Sequence, residues 1–193
     1  MNPHYLKPLF TPASVAIFGA SDRVDSVGQI VLSNMLKSGY KGALYPINPK
    51  HAEIQGQKAY ASLFQISETV ELAVIATPPQ TVPDIIEDCG KHGIKAAVII
   101  TAGFSETGAT GRALEHAVLE NARRYGIRLL GPNCLGIMRP AIGLNATFNK
   151  GGANTGNLAF VSQSGALCTA ILDWAQSNDV GFSSVVSLGS SAD

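Results

Sequence analysis

A glycine-rich turn of a kind that binds phosphate stands between an apolar run and a helical pattern. The apolar run is Ser14–Phe18, and Gly19, Ala20 and Ser21 follow it directly. A polar loop then leads to Gly28, where residues at helical spacing begin. A strand-to-helix turn presents backbone N–H groups, and the helix N-terminus favours negative charge. The pattern predicts a phosphate site, and the alternative is an ordinary turn that binds nothing.

Four further loops follow predicted strands, and they consist mostly of small or polar residues. They are Asn48, Pro49 and Lys50; Thr77, Pro78 and Pro79; Thr101, Ala102, Gly103 and Phe104; and Pro132, Asn133 and Cys134. The carboxyl ends of parallel strands share one edge of a sheet, so we expect these loops to meet. They contain one cation, no pair of carboxylates and no Ser–His–Asp arrangement.

The residue after the second strand discriminates between nucleotides. A fold that binds NAD places an acidic residue there for the ribose hydroxyls. This chain has Lys50 instead, and a lysine suits a phosphate on or near the ribose, as in NADP or coenzyme A. The alternative is a solvated surface lysine.

A second strand-to-helix turn lies near the end of the chain. Ser162, Gln163, Ser164, Gly165 and Ala166 separate an apolar run from a helical pattern. The turn aims N–H groups outward and predicts a second phosphate site. The alternative is plain N-capping by Ser162 or Ser164, which contributes about 1 kcal/mol.

Alternating strand and helix patterns predict the elements that position these loops. The strands are mostly continuous apolar runs, which is typical of a parallel sheet covered on both faces. We expect an α/β fold with a doubly wound parallel sheet. The predicted strands cover residues 14–18, 42–49, 71–77, 96–101 and 128–131, and the predicted helices cover 28–38, 81–89 and 108–125.

A stretch rich in Gly, Asn and Thr, residues 143–156, predicts a linker between two units. We therefore expect one domain over residues 1–150 and a second over 151–193. The second unit has only a strand, a helix and a strand, which cannot cover its own sheet. We expect it to be the truncated start of a larger α/β domain.

Composition excludes several classes of partner. The formal net charge is +0 and no segment clusters Lys or Arg, so nothing favours nucleic acid. No run is apolar for long enough to span a membrane, and the N-terminus lacks a signal-peptide pattern. The three scattered cysteines are typical of reduced thiols, so we expect a cytoplasmic protein.

The motifs FGAS, INPK, ATPP, ITAGF, GPNCLG and VSQSGAL occur in an order that resembles one enzyme family. This family is the nucleoside-diphosphate-forming acyl-CoA synthetases, together with the α subunit of succinyl-CoA synthetase. The likeness covers nearly the whole chain and looks closest to bacterial chains fused to a protein lysine acetyltransferase domain. It implies a Rossmann-like CoA-binding domain followed by a flavodoxin-like domain. The implied partners are coenzyme A and the remaining synthetase domains, in the same chain or in another subunit.

The resemblance also implies roles for individual residues. Gly19, Ala20, Ser21 and Gly28 would hold the phosphates of coenzyme A, and Lys50 would meet a phosphate at its nucleotide end. The loops at residues 77–79 and 101–103 would line the adenosine and pantetheine, and Asn133 and Cys134 would lie near the thiol. The turn at residues 162–166 would face the phosphate of a phosphohistidine intermediate.

Two features depart from the family pattern. Asp22 and Asp25 bring acids near the proposed phosphates, and we expect Arg23 to offset them. None of the four histidines, His4, His51, His92 and His116, lies in the family's catalytic histidine context.

We therefore expect this chain to bind coenzyme A, or an acyl-CoA, without catalysis. The parent protein would be an acyl-CoA synthetase or an acetyl-CoA-dependent acetyltransferase. Two alternatives stay open, an NADP-binding oxidoreductase domain and a regulatory domain that senses coenzyme A.

Overall fold

The computed structural model describes residues 4–193 and shows alternating strands and helices. In chain order the elements are α1 (Lys7–Phe10), β1 (Ser14–Phe18), α2 (Val27–Lys37), β2 (Ala43–Ile47), β3 (Glu53–Ile54), β4 (Gln57–Lys58), β5 (Leu72–Ile75), α3 (Val82–His92), β6 (Ala96–Ile99), α4 (Ala109–Tyr125), β7 (Arg128–Leu130), β8 (Gly136–Arg139), β9 (Leu144–Thr147), β10 (Asn154–Ser162), α5 (Gly165–Ser177) and β11 (Gly181–Ser187).

The first sheet has five parallel strands in the order β2-β1-β5-β6-β7. Every residue of β1, β5 and β6 is buried, which explains why these strands are apolar without alternation. The predicted parallel α/β sheet is therefore confirmed. The strand order reverses between β1 and β5, so the ligand-binding crevice of such a fold is expected beside the ends of these two strands.

Helices cover both faces of this sheet. On one face, Val31 and Met35 of α2 pack with Val15 and Ile17 of β1. On the other face, Ile86 of α3 and Val118 of α4 belong to a cluster with Ile75 of β5 and Ile99 of β6.

A second, mixed sheet has the order β10-β11-β8-β9. Strand β11 is parallel to β10 and antiparallel to β8, and β8 is antiparallel to β9. Cys168 and Leu172 of α5 cover one face. The buried residues of α2 share a cluster with Ile137 of β8 and Ala146 of β9, so α2 packs against both sheets.

The predicted linker at residues 143–156 is wrong, because Leu144–Thr147 forms β9 and all four of its residues are buried. Asn145 and Thr147 are polar, but Thr147 Oγ1 donates to Asn145 Oδ1 at 2.7 Å. Asn34 Nδ2 of α2 donates to the Thr147 carbonyl at 2.8 Å. Because these groups are paired, a sequence that reads as a loop is a buried strand. The domain boundary at residue 150 stays a prediction. It lies between β9 and β10, which belong to the same sheet.

A small hairpin follows β2. Its strands β3 and β4 pair in antiparallel fashion. Gln55 and Gly56 make the turn, and both have positive φ values, 50° and 71°. The hairpin contacts the turn after β1, because Gln55 Nε2 donates to the Ser21 carbonyl at 3.2 Å.

Candidate functional site

The turn after β1 is held in shape by two close approaches. Gly19 has a φ of +83°, and a Cβ there would lie 2.5 Å from the Ala76 carbonyl oxygen. A Cβ at Gly28 would overlap the carbonyl oxygen of Gly19. Glycine at these two positions lets the start of α2 pack directly on the end of β1.

The N-terminus of α2 presents donors at this turn. Ser26 is the N-cap, and its Oγ accepts from the Gln29 amide at 3.4 Å. The earlier amides of Val27 and Gly28 have no partner within the helix, because the first turn of a helix leaves its N–H groups free. This geometry suits an anion.

The two acids of the turn are already engaged. The Gln55 amide donates to Asp22 Oδ1 at 2.9 Å, and Lys150 Nζ lies 2.8 Å from Asp25 Oδ1. The hydrogen bond to Asp25 raises the pKa of Lys150. Among residues 4–193, Arg23 forms no ion pair, so the residue that offsets Asp25 is Lys150 and not Arg23.

A cleft of about 670 Å³, here called the main cleft, lies between the carboxyl edge of the first sheet and the start of α5. It is lined by Val27, Ala76, Thr77, Ile100, Thr101, Ala102, Asn133, Cys134, Leu135, Phe148, Gln163, Gly165, Ala166 and Thr169. The structure thus brings three of the predicted strand-end loops together with the second predicted phosphate turn.

Hydrogen bonds tie these three loops to one another. Thr101 Oγ1 donates to the Thr77 carbonyl at 2.7 Å. The Asn133 amide donates to the Thr101 carbonyl at 2.9 Å. Asn133 has a φ of 54°, a conformation that Asn tolerates better than most residues. Hydrogen bonds therefore join the three loops that form the wall of the main cleft on the sheet side.

The thiol of Cys134 is part of this wall, and its surroundings disfavour ionisation. Its Sγ lies 3.3 Å from the Ile99 carbonyl oxygen, and the residue is buried. Burial raises the pKa of Cys134 to about 12, so the thiol is protonated near neutral pH. A protonated thiol is a poor nucleophile, which agrees with a packing role.

The N-terminus of α5 forms the opposite wall. Ser164 is the N-cap, and its Oγ accepts from the Leu167 amide at 3.2 Å. Ser162 Oγ accepts from the Ser164 amide at 3.1 Å, so both serines stabilise the turn. Gly165 and Ala166 line the main cleft, and their amides have no partner within the helix.

A smaller cavity of about 370 Å³, the side pocket, adjoins Thr77 between the ends of β1 and β2. Gly19, Asn48, Pro49 and Pro78 contribute to its lining. Asn48 Nδ2 donates to the Ala20 carbonyl at 2.8 Å and so ties the loop after β2 to the turn after β1.

Other predicted site residues lie outside both cavities. Lys50 is exposed beside the side pocket, Ala20 is buried, and Ser21 Oγ accepts from the Arg23 amide at 3.0 Å. Pro79 packs near Gly103, where a Cβ would lie 2.8 Å from the proline ring.

Phe104 is fully buried in the core beneath the sheet rather than at the cleft. The amides of Gly103 and Phe104 donate to the carboxylate of Glu106 at 2.6 and 3.1 Å. Burial acts to raise the pKa of Glu106, but these amide hydrogen bonds outweigh it and the pKa is lowered. These two amides are therefore occupied by a carboxylate of the chain itself.

Sequence reasoning missed six residues that line the main cleft. They are Val27, Ala76, Ile100, Leu135, Phe148 and Thr169. Thr169 was recoverable, because it lies three residues after Ala166 on a helix and so faces the same side. Phe148 was not, because the stretch around it reads as a linker.

The histidines lie away from this site. His92 Nε2 is 3.0 Å from the Ile66 carbonyl oxygen, and His116 pairs with Glu120 on an exposed helix face. Within residues 4–193, no histidine lines either cavity, and no three His, Cys, Asp or Glu residues are grouped as metal ligands. Over the same residues, no helix has the length and hydropathy needed to cross a bilayer.

Comparison with known families gives this geometry a context. Residues 13–140 match the CoA binding domain family. The chain belongs to this family. Residues 155–193 match the succinyl-CoA ligase like flavodoxin domain, so a second recognised family follows the CoA-binding domain. The match confirms the resemblance, the fold class and, at the level of the family, the expectation of coenzyme A.

Similar proteins are named as ligases. An ADP-forming acetate–CoA ligase of Methanocaldococcus jannaschii is 50% identical over 97% of this chain and 26% of its own length. The α subunit of an ADP-forming acetate–CoA ligase of Pyrococcus furiosus is 42% identical over 97% of this chain and 42% of its own. The chain therefore spans well under half of these two relatives.

A solved structure gives the same picture. The dinucleotide forming acetyl-coenzyme A synthetase 1 of Ca. Korarchaeum cryptofilum, in complex with phosphate and ADP, superposes with a TM-score of 0.93. It is 42% identical and covers 97% of this chain and 40% of its own. The expected likeness to chains fused to an acetyltransferase stays a prediction.

Proposed function

We propose that this chain binds coenzyme A along the carboxyl edge of the first sheet. The observation that carries the proposal is the main cleft, in which three cross-linked strand-end loops face the N-terminus of α5. Its lining offers backbone amides, side-chain amides and hydroxyls, and none of the residues that line it is an acid. The chain that builds this cleft belongs to the CoA-binding domain family.

The two cavities suggest how the ligand would lie. The side pocket has the size and the partly apolar wall expected for an adenine ring. The turn at Gly19 and Gly28 would bind the pyrophosphate, and Thr77 stands between the two cavities. The pantetheine arm would then run through the main cleft with its thiol near Asn133 and Cys134.

The relatives support a proposal for the role of the parent protein. We propose that the parent is an acyl-CoA synthetase, which joins an acid to coenzyme A while a nucleoside triphosphate becomes a diphosphate and phosphate. The start of α5 would meet the transferred phosphate. Within this chain no histidine of the described residues reaches the main cleft, so binding without turnover is expected.

The remaining synthetase domains, in the same chain or in another subunit, are the proposed partners. The cytoplasmic location also stays a proposal, and the three free, buried cysteines fit it.

Other functions rest on single features. Lys50 suits the 2′-phosphate of NADP equally well, which keeps an oxidoreductase domain open. A regulatory domain that reports coenzyme A to an attached enzyme, an acetyltransferase included, would use the same main cleft.

Calorimetric titration of the chain with coenzyme A, and in parallel with NADP and NAD, tests the proposal. We expect binding of coenzyme A and no comparable binding of either dinucleotide. Preference for NADP would replace the proposal with the oxidoreductase alternative. Synthesis of acyl-CoA by this chain alone would contradict the expectation of binding without turnover.

A further inference from the structure

The loop after β9 brings a lysine to the turn that begins α2. Lys150 Nζ lies 2.8 Å from Asp25 Oδ1, and Asp25 directly precedes the N-cap Ser26. Phe148, two residues before Lys150, lines the main cleft together with Val27 of α2. The ammonium group is therefore held next to the helix N-terminus where we place the pyrophosphate.

Hydrogen bonds from α2 hold the backbone that precedes Lys150. Asn34 Nδ2 donates to the carbonyl oxygens of Thr147 and Asn149, each at 2.8 Å. Asn149 is buried, and its own amide group donates to the Gly151 carbonyl at 3.2 Å. Because Asn34 belongs to α2, the loop and the phosphate turn are parts of one rigid arrangement.

The Lys150 side chain itself is free to change partner. The side chains of Lys150 and Asp25 are 75% and 70% exposed, and an exposed ion pair contributes little to stability. A phosphate that arrived at the turn would carry more charge than one carboxylate and would offer more acceptor oxygens. We therefore expect a phosphate to displace the Asp25 carboxylate as the partner of the ammonium group.

From these contacts we propose that Lys150 is a phosphate ligand of the coenzyme A site and that Asp25 holds its ammonium until the anion binds. The inference rests on the proposed function, since the anion is the pyrophosphate of coenzyme A. It adds a residue from the loop between β9 and β10 to a phosphate turn otherwise built from residues between β1 and α2. It also assigns Asp25 a competing role. Lys150 would raise the affinity for coenzyme A, and Asp25 would lower it.

The test is calorimetric titration of the full chain with coenzyme A at low salt. We expect Lys150→Ala to weaken binding by roughly tenfold, the low end for a hydrogen bond to a charged group. Asp25→Asn should tighten binding by about twofold to fivefold, because a competing carboxylate is removed. Asparagine tolerates the positive φ of 60° at this position, so the backbone is preserved.

Matched variants separate this role from general electrostatics. Lys91→Ala breaks a comparable exposed pair with Glu87, at 3.0 Å on α3, and should leave binding unchanged. Lys150→Arg should retain most of the affinity, since the charge remains. The effect of Lys150→Ala should shrink as salt is raised.

Two results would overturn the inference while leaving the proposed function intact. One is wild-type binding of coenzyme A that Lys150→Ala does not change. The other is equal weakening by Lys150→Ala and Asp25→Asn, which would mean that the pair only supports the loop. Failure of the wild-type chain to bind coenzyme A would instead remove the proposed function, and this inference with it.

Discussion

Two lysines flank the proposed phosphate positions, and different contacts hold them. Lys50 is exposed, and its backbone amide donates to Asn48 Oδ1 at 2.9 Å. This contact fixes the loop but leaves the ammonium in water. Lys150 is held through an ion pair with a residue 125 positions away in the chain.

Lys50 offers a test of the nucleotide end of the ligand. If its ammonium meets a phosphate, Lys50→Ala should weaken coenzyme A binding by about 1.5 kcal/mol at low salt. The loss should diminish at higher salt, because the site is exposed. The measurement is calorimetric titration at two salt concentrations.

Lys41→Ala is the control for this prediction. Lys41 is also exposed, but it precedes β2 and so lies at the opposite edge of the sheet. Equal affinity of wild type and Lys50→Ala at low salt would identify Lys50 as an ordinary solvated lysine.

The two lysines also show how far sequence reasoning reaches at this scale. Lys50 is predicted because it follows a strand directly, and the ends of parallel strands meet by topology. Lys150 is not predicted, because no local pattern indicates that it pairs with Asp25. Asn48 follows the same strand as Lys50 and lines the side pocket, but its hydrogen bond to the Ala20 carbonyl depends on the folded chain.

At the scale of elements, the packing of α2 on the end of β1 is what shapes the phosphate turn. The closest approach is between Gly28 and the Gly19 carbonyl, where no space remains for a side chain. The cap at Ser26 then sets where the helix starts.

Gly28→Ala tests this contact. The added methyl group must displace the turn or the helix, so we expect destabilisation of about 1–3 kcal/mol, as for overpacked cores. Coenzyme A binding should fall with it, because the amides of the turn move. Urea denaturation followed by titration measures both effects.

Gly152→Ala is a suitable comparison, since its Cβ would meet nothing within 4 Å and its φ is not positive. It should leave both stability and binding unchanged. A Gly28→Ala variant as stable as the wild type would show that the turn adapts, and that close packing does not determine its shape.

The sequence predicts the elements of the first sheet well and those of the second sheet poorly. Strands such as β5 and β6 are continuous apolar runs that end at Pro or Gly, so their pattern is legible. Strand β9 contains Asn145 and Thr147, whose polar groups are satisfied by partners on β9 itself and on α2. Polar residues of this kind are indistinguishable from a loop until the partners are known.

At the scale of the whole molecule, the buried thiols of Cys89 and Cys134 predict a dependence of stability on pH. Burial raises the pKa of Cys134 to about 12 and raises that of Cys89 as well. The unfolded thiols ionise near pH 8.5, so below that pH both states are protonated. As pH rises from about 8.5 towards 12, only the unfolded state loses these protons, and the folded state becomes less stable.

We therefore expect the free energy of unfolding to fall on the alkaline side, by up to about 1.4 kcal/mol per pH unit for each thiol. Urea denaturation between about pH 7 and pH 10.5 measures the slope. Cys134→Ala should reduce it by the share of one proton. An identical slope in this variant would show that Cys134 ionises equally in both states.

Helix α2 connects both sheets to the proposed phosphate turn. Its first turn forms the phosphate turn, its buried face packs on β1, and Asn34 on the same helix bonds to the backbone after β9. If one sheet tilts against the other, the phosphate turn moves with it. The angle between the sheets and the anion affinity that we propose for this turn would then be linked, and each would influence the other by the same free energy.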